Sequence, residues 1–186
     1  MVTVRRGPKT REKPNGAFIP LSSELVAAGE LDGKDWSHLA EDEEAFFAPM
    51  PMRRQPEKPM PRAEDAAFQG PVLWADVDGG LNDAAREWLT NRMGACLVRS
   101  GGITKDGKPR YHVYIRLIGP AGVHKIETLN KGLIKKIDQL NGFRKSADAK
   151  WSRASVLRVP GTVNRKHRDE CPMGCTGGHD FSDVAE

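Results

Sequence analysis

The chain has 186 residues, enough for one ordinary domain with a hydrophobic core of its own. It is polar, with 38% hydrophobic and 29% charged residues and a net charge of +4. No apolar run approaches the ~18 residues of a membrane span, and the charged N-terminus lacks the apolar segment of a signal peptide. Three cysteines, an odd number, argue against a disulfide scaffold and favour a reducing cytoplasm.

Composition divides the chain into four segments. Residues 1–20 are basic and rich in proline and glycine, which predicts a flexible arm. Residues 21–69 are predicted to be partly helical, before a five-proline strap at 49–62 that no helix survives. Residues 70–168 show regular periodicity and form the predicted core domain, and residues 169–186 form a tail containing cysteine and histidine.

The first half of the core reads as a strand, a helix and a hairpin. Residues 71–78, PVLWADVD, predict a strand, and Asn82 can cap a helix over 83–93. Residues 95–100 and 111–117 predict two strands, because turn-forming residues separate them and the second alternates cleanly.

The second half of the core adds a helix and a short strand. Residues 126–142 have an apolar stripe at helical spacing, with Gly142 as the stop. Residues 155–162, SVLRVPGT, predict a last strand that ends at Pro160. The order β-α-β-β-α-β predicts an α+β fold of the split-βαβ kind, with a four-stranded antiparallel sheet, helices on one face and the other face free.

Polar side chains collect on the predicted free face. Because residues two apart on a strand share a face, Asp76 and Asp78 point away from the helices, and His112 points the same way from the hairpin. Asp148 offers a third carboxylate from a basic loop. Paired carboxylates suit Mg²⁺ or Mn²⁺, and a third would allow two metals to be bridged.

Charge is distributed unevenly, and the C-terminal half of the chain is the basic one. Residues 101–168 hold 16 lysines and arginines against four acids, which favours a phosphate-rich partner. An Asp-x-Asp pair alone is weak evidence for a metal site, because turns and surface strands also contain such pairs. The histidine strand, the basic loop and the Arg-rich last strand together favour a site for nucleoside triphosphates.

Three motifs in order, ADVDG, then VRSGG and YHVYIRL, then VLRVPGTVNRK, resemble the archaeo-eukaryotic primase superfamily. The resemblance covers about residues 70–168 and is nearest to the primase-polymerases and RepB-type primases of phages and plasmids. It implies an RRM-like core that synthesises primers from NTPs or dNTPs on a single-stranded DNA template. It also implies a bacterial or phage-infected host cell, and a helicase or helical domain in a longer parent protein.

The resemblance assigns roles to individual residues. It implies that Asp76, Asp78 and Asp148 bind catalytic Mg²⁺ or Mn²⁺ and that His112 contacts the nucleotide. The residues implied or expected to contact nucleotide, phosphate or template are Ser100, Gly101, Arg110, Arg158, Asn164 and Lys166. One departure is the segment ITKDGKPRY, which lengthens the turn before His112.

The C-terminal tail offers a second possible metal site. His167, Cys171, Cys175 and His179 follow one another at intervals of four, and thiolates with imidazoles suit tetrahedral Zn²⁺. The spacing is not that of a common zinc finger, and the glycines among them equally fit an irregular reduced tail. Both interpretations stay open.

Two other functions compete with primer synthesis. A replication-initiator module could use the basic half to bind DNA without catalysis, although the paired aspartates would then repel phosphate. A metal-dependent nicking nuclease could use Tyr114 near His112, although such enzymes favour a paired His-x-His that is absent here.

Overall fold

The computed structural model describes residues 2–6, 20–27, 30, 34–36, 44–58, 60–142, 145–160 and 162. In chain order the strands are β1 (Val2–Arg6), β2 (Pro20–Leu25), β3 (Glu44–Phe47), β4 (Gln69–Val77), β5 (Cys96–Ile103), β6 (Pro109–Gly122) and β7 (Leu157–Arg158), and the helices are α1 (Asp83–Glu87) and α2 (Val123–Leu140). All strand pairs are antiparallel, so the predicted α+β class is confirmed. Neither described helix combines the length and apolar character needed to cross a membrane.

A three-stranded sheet with the order β4-β6-β5 carries the predicted site. In its register Asp76 lies opposite His112, and Trp74 lies opposite Tyr114. Residues directly opposite in an antiparallel pair share a face, so these four side chains project to the same side. The strand, helix, hairpin and helix predicted for residues 70–142 are present in that order as β4, α1, the β5–β6 pair and α2.

The start of α1 and the end of α2 lie where the residue types favour them. The side chain of Asn82 accepts a hydrogen bond from the Ala85 N–H (2.8 Å) and so caps α1, which continues as one π-helical turn over Trp88–Arg92. The Asn82 amide also donates to the carbonyl of Leu140 (2.8 Å), which joins the start of α1 to the end of α2. Gly142, with φ +78°, follows the end of α2 as predicted.

The N-terminal part of the chain differs from the prediction. The described residues of the expected arm include β1, and the segment expected to be partly helical contributes β2 and β3. These strands and β7 form a four-stranded sheet with the order β2-β1-β3-β7. The Ser-Leu pattern at 22–25 looks like a helix start locally, but pairing with a distant strand overrides local propensity.

The last predicted strand is shorter and lies elsewhere. β7 has two residues and pairs with β3, so it does not join the three-stranded sheet. The outer edge of β4 is covered instead by the loop after α2, where the Asp148 N–H donates to the carbonyl of Asp76 (2.7 Å) and Gly79 donates to Ser146 (2.7 Å). The prediction of a four-stranded sheet is therefore wrong for its fourth strand, because β7 belongs to the other sheet.

The face of the sheet opposite α2 is not free, as the sequence predicted, but covered. Trp74 is fully buried on this face, and the rings of Phe47 and Tyr114 lie 5.9 Å apart. Arg158 of β7 also donates to the carbonyl of Ser100 in β5 (3.2 Å). The four-stranded sheet thus packs over this face, and the predicted site lies between the two sheets.

Candidate active site

Three carboxylates converge at the end of β4. Asp76 is the second-last residue of β4, and Asp78 comes directly after the end of that strand. The loop after α2, which lies along the edge of β4, carries Asp148. One oxygen from each lies within 4.8 Å of the others. The side chain of Asp76 is 4% exposed, whereas those of Asp78 and Asp148 are 55% and 47% exposed. The cluster therefore has a buried floor and an open side.

Lys150 lies against this cluster and provides a positive charge in contact with it. Its ammonium contacts Oδ2 of Asp76 and is 4.0 Å from Oδ2 of Asp148. The other oxygen of Asp76, Oδ1, is buried and has no hydrogen-bond partner among the described residues. Because a buried carboxylate is costly without a partner, this oxygen marks a place for a further ligand.

His112 faces the cluster as a neutral imidazole. Its Nε2 lies 3.7 Å from Oδ1 of Asp76, which is too long for a hydrogen bond. Burial, assisted by the positive charges of Arg158 and Lys150, lowers the pKa of His112 to about 3. Its Nδ1 has no hydrogen-bond partner within the part of the chain that the structure describes. The ring can therefore offer one donor and one acceptor to a ligand at neutral pH.

A bulge shapes the wall beside the carboxylates. The register of β5 against β6 shifts between Arg99 and Ile103, so that residues 100–102 lie against Arg110 alone. Gly101 has φ +76°, and a Cβ at Gly102 would lie 2.9 Å from Cδ of Arg110. These glycines let the Arg110 side chain lie across the bulge, with its Nη1 4.0 Å from Oδ1 of Asp78.

Arg158 supplies a second guanidinium from the other sheet. It donates to Oε1 of Glu44 (2.7 Å) and to the carbonyl of Ser100 (3.2 Å), and it packs on the ring of Phe46. Both side chains of the Glu44–Arg158 pair are largely buried, with 7% and 11% exposed. Glu44 therefore holds the guanidinium of Arg158 near His112, and the positive charge of Arg158 contributes to the lowered pKa of His112.

The loop that carries Asp148 and Lys150 is anchored at several points. The indole N–H of Trp74 donates to the carbonyl of Lys150 (2.8 Å). The buried Asn130 of α2 accepts from the Trp74 backbone N–H (3.1 Å) and donates to the carbonyl of Trp151 (3.4 Å). Because one amide binds both the strand and the loop, the two sources of carboxylates are held together.

An ion pair anchors the far end of the same loop. Arg153 donates to both carboxylate oxygens of Glu127 on α2, at 2.9 and 2.8 Å, and its backbone N–H donates as well (3.0 Å). These hydrogen bonds, chiefly those from the Arg153 side chain, lower the pKa of Glu127 to about 2. The charged form of Glu127 is therefore part of the folded loop.

The structure brings most of the predicted residues together. Contacts or charge interactions link the residues that it describes, namely Asp76, Asp78, Asp148, His112, Ser100, Gly101, Arg110 and Arg158. Their roles stay predictions. The remaining predicted residues, namely Asn164, Lys166, His167, Cys171, Cys175 and His179, lie outside the described residues.

Sequence reasoning missed two residues of the site. In the sequence, Lys150 is one of many basic residues, and its position two residues after Asp148 is only a weak signal that it belongs to the site. Glu44 has no local signal, because its partner Arg158 is 114 residues away in the chain. Both become evident only when the two sheets and the edge loop are assembled.

The chain matches no protein-family profile, and no curated protein sequence is similar to it. Among solved structures, it is similar to the AEP domain of the cyanophage S-2L primase-polymerase (PrimPol), with 13% identity and a TM-score of 0.50. The match covers 89% of this chain and 76% of that one. The fold is shared with a primase-polymerase domain. The polymerase domain of Mycobacterium tuberculosis Ligase D, in complex with DNA, also matches at 13% identity, with a TM-score of 0.40 over 88% of this chain and 68% of that one.

Proposed function

We propose that this chain is a primase-polymerase of the archaeo-eukaryotic primase superfamily, which joins NTPs or dNTPs on a single-stranded DNA template. The observation that carries the proposal is the convergence of Asp76, Asp78 and Asp148 from segments about 70 residues apart, with cationic side chains around them. The fold shared with the cyanophage primase-polymerase domain supports it.

The three carboxylates fit a hard divalent cation. Their oxygens lie within 4.8 Å of one another, and Oδ1 of the buried Asp76 lacks a hydrogen-bond partner among the described residues. An all-oxygen donor set suits Mg²⁺ or Mn²⁺ better than softer metals. We propose that Asp76, Asp78 and Asp148 hold these cations, which would activate the attacking hydroxyl and neutralise charge on the leaving group.

The surrounding residues suit a triphosphate. Arg110 lies beside Asp78 and Arg158 lies beside Ser100 and His112, and a guanidinium can bind two phosphate oxygens at once. Ser100 and Gly101 form the bulge between them, and His112 offers a neutral hydrogen-bonding edge. In the proposal Asn164 and Lys166 extend this set towards phosphate or template.

The proposed reaction is nucleotidyl transfer. The 3′-hydroxyl oxygen of the primer attacks the α-phosphorus of the incoming nucleotide, a phosphodiester bond forms, and the bond to pyrophosphate breaks. Arg110 and Arg158 stabilise negative charge on the phosphates as it shifts to pyrophosphate. The packed four-stranded sheet limits access of water to the buried side of the site.

Nicking by a tyrosine is disfavoured by the environment of Tyr114. Its hydroxyl is buried, and burial, with smaller contributions from the charges of Asp76 and Cys96, raises its pKa well above the usual value of 10. A buried phenol that resists deprotonation is a poor nucleophile.

A primer-synthesis assay tests the proposal. Wild type and Asp78→Asn would be compared on single-stranded DNA with labelled ATP or dATP and Mg²⁺ or Mn²⁺. Asp78 is exposed, so asparagine should fold normally but bind metal poorly, and we expect synthesis to fall by about 100-fold or more. Asp106→Asn is the matched control, because Asp106 is an exposed acid of the nearby hairpin.

The possible outcomes separate the alternatives. Products of two or more nucleotides that disappear in Asp78→Asn but persist in Asp106→Asn support a metal-dependent primase. Extension of a supplied primer without initiation would restrict the function to polymerisation. Wild-type protein that binds DNA but makes no product would refute the proposal and favour the initiator alternative.

A further inference from the structure

Lys150 occupies Oδ2, one of the two oxygens through which Asp76 could bind a cation, while Oδ1 has no hydrogen-bond partner among the described residues. Its ammonium contacts Oδ2 of Asp76 and lies 4.0 Å from Oδ2 of Asp148, two of the three carboxylates of the cluster. The lysine is 39% exposed at its side chain, so it approaches from the open side of the cluster. A metal ion that bridges Oδ2 of Asp76 and Oδ2 of Asp148 would therefore compete with this ammonium.

The contact has a clear physical reason. Asp76 is nearly fully buried, and the Nε2 of His112 lies 3.7 Å from its Oδ1, too far for a hydrogen bond. Without an adjacent cation the buried carboxylate would be uncompensated, which is costly. Lys150 is therefore the counter-ion of Asp76 when metal is absent.

The backbone of Lys150 is held by hydrogen bonds, whereas its side chain is partly exposed to solvent. The indole of Trp74 donates to the Lys150 carbonyl (2.8 Å), and the Lys150 N–H donates to the carbonyl of Asp148 (2.8 Å). The four-carbon stem can rotate towards solvent without disturbing either hydrogen bond. Departure of the ammonium therefore needs no rearrangement of the loop.

We infer that metal binding at this site is an exchange, in which a divalent cation replaces the Lys150 ammonium on Asp76. The inference rests on the metal-dependent function proposed above. It has two consequences. Lys150 lowers the affinity of the carboxylates for metal, and it stabilises the metal-free protein, so that the two effects are linked.

Mn²⁺ binding, followed by the electron paramagnetic resonance of free Mn²⁺, tests the first consequence. We expect Lys150→Met to bind Mn²⁺ about ten-fold more tightly than wild type, because it removes a charge in direct contact with a ligand. Lys150→Arg should stay near wild type, because the charge is kept. Lys145→Met, with an exposed lysine of the same loop, is the control for long-range charge.

Thermal unfolding tests the second consequence. Metal-free Lys150→Met should unfold at a lower temperature than wild type, and saturating Mn²⁺ should raise its Tm by more than it raises that of wild type.

A measurement on the wild type alone avoids any folding defect of the variant. Amine acetylation followed by mass spectrometry should modify Lys150 faster when Mn²⁺ is added, with Lys145 as the internal reference.

The outcomes distinguish failure of the exchange from failure of the proposed function. Equal Mn²⁺ affinity in wild type and Lys150→Met, with binding lost in Asp76→Asn, would overturn the exchange and leave the metal site in place. An equal gain in Lys145→Met, or acetylation of Lys150 that Mn²⁺ does not change, would also overturn the exchange. Absence of Mn²⁺ binding in every variant would refute both the exchange and the proposed function.

Discussion

A single carboxylate from the N-terminal part of the chain determines where Arg158 lies. Glu44 accepts from Nη2 of Arg158 (2.7 Å), while Nη1 donates to the carbonyl of Ser100 (3.2 Å). The Nε of Arg158 has no hydrogen-bond partner among the described residues. Glu44 thus acts as a positioning residue, which fixes a guanidinium beside the nucleotide site proposed above.

Replacement of Glu44 by glutamine should loosen this arrangement. We expect the KM for nucleotide to rise several-fold in Glu44→Gln with little change in kcat, because Arg158 would bind phosphate but would no longer be held in place. The free energy of unfolding should fall by about 1–3 kcal/mol, since a charge-assisted hydrogen bond is lost in a buried setting.

Steady-state kinetics of primer extension at varied nucleotide concentration, with denaturant unfolding alongside, would check both effects. Glu44→Asp should recover part of the KM effect, because it restores the charge. A fall in stability with an unchanged KM would mean that Glu44 has only a structural role.

At the level of elements, the loop after α2 depends on its attachment to that helix. Arg153 binds Glu127 through three hydrogen bonds, and the pair is partly buried, with 20% and 15% of the two side chains exposed. Glu127→Gln keeps the shape but removes the charge, and we expect a loss of about 1–2 kcal/mol in the free energy of unfolding at pH 7.

The pH dependence of this loss follows from the pKa of Glu127. Folding lowers that pKa from 4.5 to about 2, so between these values the unfolded chain binds more protons than the folded one. The stabilisation is therefore complete above about pH 4.5 and is lost as the pH falls towards 2.

Urea unfolding of wild type and Glu127→Gln at pH 7, 4.5 and 3 would measure this dependence. The stability difference between the two proteins should shrink at pH 3. Glu87→Gln, on the exposed side of α1, should show no such trend. A difference that is independent of pH would contradict the role assigned to the charged form.

The elements that the sequence predicts correctly are those whose partners are near in the chain. The alternation in residues 111–117, the turn before it and the stripe of α2 are local patterns, and they place Asp76, Asp78 and His112 on one face. The sequence does not predict β1, β2 and β3, because their pairing depends on residues far apart, and it predicts β7 in the wrong sheet for the same reason. A two-residue strand carries no periodicity that could choose between two edges.

At the scale of the whole molecule, both sheets contribute to one hydrophobic core, which contains Phe46 and Leu157 of one sheet and Trp74 and Val113 of the other. The acidic site is therefore built into the junction of the two sheets. In the C-terminal half of the chain, residues 101–168 hold 16 lysines and arginines against four acids. Cations at this density suit the phosphate backbone of a nucleic acid.

This charge distribution predicts that single-stranded DNA binding depends steeply on salt. If about four cations contact phosphates, raising monovalent salt from about 50 to about 200 mM should weaken binding about 50-fold, because counterions are released on binding. Fluorescence anisotropy of a labelled oligonucleotide would measure the slope. Asp78→Asn should bind DNA as well as wild type or better, since it removes a negative charge, although it loses synthesis. Binding that is insensitive to salt would mean that the basic half does not hold the DNA. Binding that disappears in Asp78→Asn would mean that the acidic side chain itself is needed for contact with DNA.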